Sequence, residues 1–209
     1  MRAPSSRTTS VTVAVCAALV ALAGCNSHGS GVTANATPSA SIDAGDLTIG
    51  VADVRRITGF DDLTADPRFD ASRPDNLDAD APTACRVVFN QQAAFGDGWK
   101  QFHSVRFSGA SNRGVKQAVG VYADAVAAQH AFEGIVSDLA ACSALHADGY
   151  GFTLQRPDPS TVAVCFEVCR VTYRWKASVL IDVSVQHFSD SERISNEVVQ
   201  AIADRIDAA

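Results

Sequence analysis

The sequence predicts an α+β fold, a mainly antiparallel sheet with three main helices, and three observations point there. Short runs dense in β-branched residues alternate in type between Phe102 and Phe188. In their midst, from Ala123 to Ala144, the apolar period lengthens to that of a helix, and the chain closes on a second such stretch. Helices at both ends and in the middle of an antiparallel sheet give the α+β class.

Leu47-Thr48-Ile49 opens the domain, and Val51 to Thr58 follows as a short amphipathic helix with Val51, Val54 and Ile57 at helical spacing and Gly59 placed to cap it. Phe60 to Pro82 is rich in Asp, Pro and Asn and reads as a long surface excursion, a length that often carries function. Ala84 to Phe95 predicts a helical turn leading into Gly96-Asp97-Gly98, which introduces Trp99. Phe102 to Phe107 and Val115 to Tyr122 read as two antiparallel strands joined by Ser108 to Gly114. The central helix sets Ala128, Phe132, Ile135, Val136 and Leu139 on one stripe with Cys142 at its edge. Further strands are expected at Tyr150 to Gln155, Thr161 to Phe166, Cys169 to Trp175 and Val179 to Phe188, with Pro157 and Pro159 marking a turn. Ser189 with Glu192 fits a capping box for the last helix, whose stripe is Ile194, Val198, Ile202 and Ile206.

Ahead of this domain, Met1 to Ser10 carries Arg2 and Arg7 and no acid, and the apolar run Val11 to Ala23 is too short to span a bilayer. This predicts an export signal over 1–24. Leu22-Ala23-Gly24-Cys25 is similar to a bacterial lipobox, so Cys25 is the expected lipidation site. Acyl chains contribute about 0.8 kcal/mol per buried methylene, enough for two or more to anchor a protein to the cell membrane on its extracytoplasmic face. Residues 25–45 are small and polar, a tether that cannot bury surface, and 46–209 form one domain. With Arg2 and Arg7 gone, the 17 basic and 23 acidic residues become 15 and 23, a formal charge of −8. That balance argues against nucleic acid as a partner.

Cys16 leaves with the signal and Cys25 is acylated, so Cys85, Cys142, Cys165 and Cys169 remain, and four cysteines allow three connectivities. The favoured pairs are Cys85 with Cys142 and Cys165 with Cys169, since the latter two bracket Phe166-Glu167-Val168, a length suited to a hairpin. Cys165-x-x-x-Cys169 is not the redox spacing, and no second pair or nearby histidine completes a metal set.

Leu47 to Gly59, Pro82-Thr83-Ala84-Cys85, the Gly98-Trp99 pair, the Ala-rich helix ending near Cys142, and Cys169 followed by Val179-Leu180-Ile181-Asp182-Val183 occur in an order that resembles the PknH-type sensor domain. That domain is the extracytoplasmic part of a mycobacterial receptor serine/threonine kinase and also occurs as free-standing mycobacterial lipoproteins. The resemblance implies an α+β sensor fold with two disulfides and a ligand-binding cleft beside the sheet. One departure stands out: the family's last cysteine would fall where this chain has Ser184-Val185-Gln186-His187, while Cys165 is extra. The second bridge is therefore expected in a new place.

Candidate ligand-binding residues follow from alternation. His103 shares a strand face with Val105 and Phe107, and His187 with Val183 and Val185, so both are candidates for one pocket. Asp182 stands in an apolar strand on the face of Leu180, Ser184 and Gln186, a set that suits a cleft wall; the competing reading is a solvent-facing row. Trp99 and Trp175, with Tyr122 and Tyr173, are candidate apolar contacts, and Arg106, Arg170 and Arg174 candidate contacts for an anion. No nucleophile elbow, P-loop, H-E-x-x-H or dinucleotide fingerprint occurs, so no catalytic residue, metal or cofactor is assigned. The expected function is a lipid-anchored sensor-like domain binding a small ligand or envelope component. The alternatives are a module that docks an envelope protein or receptor kinase, and a hydrolase of unknown type.

Overall fold

The structure, a computed structural model, describes residues 42–209. The export signal, Cys25 and most of the predicted tether lie outside the described residues. Packing begins early, because Ala44 is already buried in a short helix, α1 (Ala44–Leu47). Helix α2 (Val51–Thr58) buries Val54 and Ile57, and Gly59 ends it in the left-handed conformation at φ 74°, donating to the Arg55 carbonyl.

Seven strands make one antiparallel sheet: β1 (Thr64–Ala65), β2 (Trp99–Ser108), β3 (Gly114–Tyr122), β4 (Thr153–Asp158), β5 (Thr161–Cys165), β6 (Cys169–Lys176) and β7 (Val179–Gln186). Their spatial order is β1-β2-β3-β7-β6-β5-β4, so β7, last in sequence, lies at the centre between β3 and β6. The segment Ala84–Phe95 forms two pieces, a 3₁₀ helix (Thr83–Val88) and α3 (Gln91–Phe95), the latter capped by the Asn90 side chain at Ala93 N. Helix α4 (Ala125–Leu145) starts on Asp124, which caps Ala127 N, and α5 (Ser191–Ala208) closes the chain.

The pleat sorts two cores. On one face Val115, Val119, Ile181, Val183 and Val185 pack against α1, α2 and α5. On the other Phe102, Ala118, Leu180, Val171 and Tyr173 pack against α3, the 3₁₀ helix and α4. Gly120 in β3 is required there, since a Cβ would come within 2.7 Å of Phe95. A disulfide joins Cys85 of the 3₁₀ helix to Cys142 of α4, closing a separation of 57 residues.

Three expectations need correction. Cys165 and Cys169 are free thiols, not a bridge. Cys165 pairs with Arg170 across the β5–β6 hairpin, so it shares a face with Arg170, and Cys169 next door points to the opposite face. The Cys169 thiol lies instead 3.8 Å from Ser184 Oγ, at the position where the resemblance puts the family's last cysteine. The predicted capping box at Ser189 is not made: Asp190 precedes α5 without a side-chain cap bond, its carboxylate being taken by Arg193 Nε at 3.0 Å. Finally, Pro157 does not mark a turn but sits within β4, an edge strand where its missing N–H costs no ladder bond, and only Pro159 lies in the turn.

Candidate functional site

The polar set predicted on β7 lies on the α4 side of the sheet, beyond the end of that helix's core. Register places Asp182 opposite Ala118 of β3 and Tyr173 of β6, and Ser184 opposite Lys116 and Val171. A cavity of about 90 Å³ opens over Asp182, Ser184 and Gln186, and Arg106 and Lys116 wall it from β2 and β3. Asp182 is only 7% exposed, so the solvent-facing reading of this row does not hold.

Val171 and Tyr173 of β6 and the stretch from Val88 to Gln91 line it too, and the excursion between α2 and the 3₁₀ helix adds Phe69 and Leu77. Ala71 bridges Ser104 in β2, and Ser104 Oγ donates to the Phe69 carbonyl at 3.2 Å, which brings the Phe69 ring over the cavity. The guanidinium of Arg106 lies 5.0 Å and the ammonium of Lys116 5.7 Å from that ring's centroid, within cation–π range. Asp75 ties the same loop to α3: its carbonyl accepts from Gln92 N at 2.9 Å, and its N–H donates to Gln91 Oε1 at 3.2 Å. Its carboxylate pairs with Lys116 Nζ at 2.5 Å. A surface-composed loop thus becomes a roof because its backbone and one acid are bonded to the scaffold.

Electrostatically the centre is unusual. Burial pushes the Asp182 carboxyl up to about 7; the Lys116 ammonium opposes the shift and the Asp75 carboxylate adds to it. The Gln91 amide is a neighbour that favours the ionised form. Even so, Asp182 Oδ1 and Gln91 Nε2 are both buried without a hydrogen-bond partner. An unpaired acceptor and an unpaired donor in one small cavity each carry a desolvation cost of about 1–3 kcal/mol, which a bound polar group would offset.

The other predicted site residues do not gather here. His103 sits on the α5 side of β2, its Nδ1 3.2 Å from Thr48 Oγ1 and its Nε2 3.2 Å from Asp70 Oδ1. Trp99 is near it in sequence and lines the same shallow depression, its Nε1 donating to the Gly96 carbonyl at 2.9 Å. His187 lies past the end of β7, exposed and left-handed at φ 57°, so the two histidines do not share a pocket. Trp175 is half-buried at the margin of the α4-side core. Sequence reading missed Lys116, Asp75 and Gln91: alternation sets Lys116 on one row with Ala118 and Gly120, and only the β3–β7 register turns that row to the Asp182 face. Among the described residues no group of three His, Cys, Asp or Glu is arranged to hold a metal ion, and no helix is long and apolar enough to cross a membrane.

A second depression, about 700 Å³ and mainly apolar, lies between the α3–β2 turn and the first half of α4, where Val126 is 75% exposed.

A family model described as the PknH-like extracellular domain matches residues 39–205. Among solved structures, the crystal structure of the extracellular domain of PknH from Mycobacterium tuberculosis is similar to this chain with a TM-score of 0.60 at 14% identity, covering 79% of this chain and 95% of that one. That likeness is one of fold. No curated protein matches the chain.

Proposed function

The chain belongs to the PknH-like extracellular domain family, and from that premise we propose that it is a sensor-like binding domain working outside the cytoplasm, lipid-anchored through Cys25, that captures a small polar ligand or envelope component in the cavity over Asp182. The observation that carries this reading is the pair of buried, unpaired atoms, Asp182 Oδ1 and Gln91 Nε2, behind Lys116 and Arg106. A ligand group that both donates and accepts, such as a hydroxyl or a primary amide, meets both atoms at once. The cavity has room for a few non-hydrogen atoms, so it holds one such group while the remainder of the molecule extends past Phe69.

The test is native mass spectrometry of protein extracted from its own membrane, beside the Asp182→Asn variant. Wild type is expected to carry a small molecule that is released on unfolding and lost from the variant. Equal loading of the two proteins would refute the site. The same spectra report fatty acids on Cys25, and Cys25→Ser should release the protein from the membrane fraction.

The apolar depression beside Val126 favours a second reading, in which the domain docks another envelope protein. Cross-linking in intact cells through a photoreactive residue at position 126 would recover that protein; recovery of none would remove the reading.

A further inference from the structure

On the α5 side of the sheet the aliphatic core gives way beyond β7 to the row Arg170, Thr172 and Arg174 of β6. Arg170 is 5% exposed, a fully charged guanidinium carried indoors. Its hydrogen bonds run from Nη1, to Gln155 Oε1 at 3.1 Å and to the Cys165 sulfur at 3.0 Å. Glu192 Oε2 stands 3.8 Å away on a side chain that is 66% exposed, too far for a hydrogen bond. Arg170 Nε is buried with no partner, and so is Arg174 Nε, while Arg174 Nη1 donates to Gln200 Oε1 at 3.3 Å. Both arginines line a single groove of about 260 Å³ between β4–β6 and α5.

A buried cation with an idle donor is costly unless something accepts from it. We propose that this groove is a second binding site, separate from the Asp182 cavity across the sheet, and that it takes a small organic carboxylate. Arg170 is the anchor and Arg174 the outer contact. A planar carboxylate matches the edge of a guanidinium fork. The two arginines are four residues apart on an extended strand, about 13 Å between Cα positions, so each meets a different part of the ligand. That spacing and the groove volume suit a molecule with two acid groups better than a lone ion. Charge decides against phosphate: Asp158 lies at the Arg174 end, its carboxyl held below the usual range although burial opposes this, because the Ser160 N–H and hydroxyl donate to it and Arg174 is close. Glu192 lies at the other end. A phosphate dianion sets both its charges against one arginine and the acid beside it, whereas a dicarboxylate divides them between Arg170 and Arg174.

The experiment is an NMR titration of the protein with glutarate, acetate and inorganic phosphate, reading the Arg Nε–H signals. Glutarate should move the Arg170 and Arg174 signals saturably, at least tenfold more tightly than acetate or phosphate. Arg174→Gln, a half-buried position that leaves the anchor in place, should weaken glutarate at least tenfold while the Asp182 carboxyl signal stays where it was. Absence of saturable movement with glutarate, phosphate binding as tightly as glutarate, or unchanged affinity in Arg174→Gln would each overturn the proposal. None of these results bears on the Asp182 cavity, which is read by its own signals.

Discussion

The two faces of β7 divide the molecule's work. Val179, Ile181, Val183 and Val185 point toward α5 and are fully buried in an aliphatic core that leaves no polar side chain of this strand there. Leu180, Asp182, Ser184 and Gln186 point the other way, and only Leu180 is apolar. An alternating strand at the centre of a sheet covered on both faces has no structural need for that polar row. The difference teaches that one face of the strand serves packing while the other keeps buried polar groups at a cost in stability, a cost that the proposed ligand would offset.

The largest effect expected from breaking this arrangement is on the polar side, whose helix is held by a covalent link. Replacing Cys85 and Cys142 together by Ser removes the constraint on a 57-residue loop and should cost about 4 kcal/mol in chemical denaturation. On the aliphatic side, Ile181→Ala should cost about 3 kcal/mol by leaving a void, yet ligand retention should be unchanged in the folded fraction. Ser184→Cys sharpens the contrast. Its sulfur would meet Cys169 across a 15-residue separation, and the resulting bridge should stabilise the oxidised protein by up to about 3 kcal/mol, as gel mobility without reductant and denaturation would show, while narrowing the cavity and displacing the ligand. The effect most spread out is the pH slope. Asp182 holds its proton more tightly folded, at about 7, than at the ordinary value of 3.8. Its stabilising contribution is therefore full below about pH 4 and lost as pH rises through 7, by at most about 1.4 kcal/mol per unit. Asp182→Asn should flatten that slope in urea titrations made from pH 4 to pH 8.

Much of this was legible in the sequence. Gly59 announced the end of α2, and the stripes of α4 and α5 announced their buried faces. Alternation put Asp182, Ser184 and Gln186 on one face, because the period of a strand fixes sidedness without any knowledge of its neighbours. What lay beyond reach was partnership. The same alternation separates Cys165 from Cys169, but this shows only once the β5–β6 register is known, and a spacing rule for hairpins had suggested a bond. Asp75 and Phe69 sit in a segment whose composition marks a surface loop, and nothing local says that it folds back over β2 and β3. His103 and His187 were brought together by a shared strand pattern and are parted by the turn that begins after Gln186.

The central claim is that the polar face of β7 recognises a ligand while the aliphatic face only holds the fold. Its most direct test is a titration of isotope-labelled protein with a small-molecule extract of its own cell envelope, followed by NMR of side chains on both faces. The account predicts that the Asp182 carboxyl and Gln91 amide signals move together while the methyls of Ile181, Val183 and Val185 stay still. Methyl shifts with an unmoved Asp182, or no shift on either face, would contradict it.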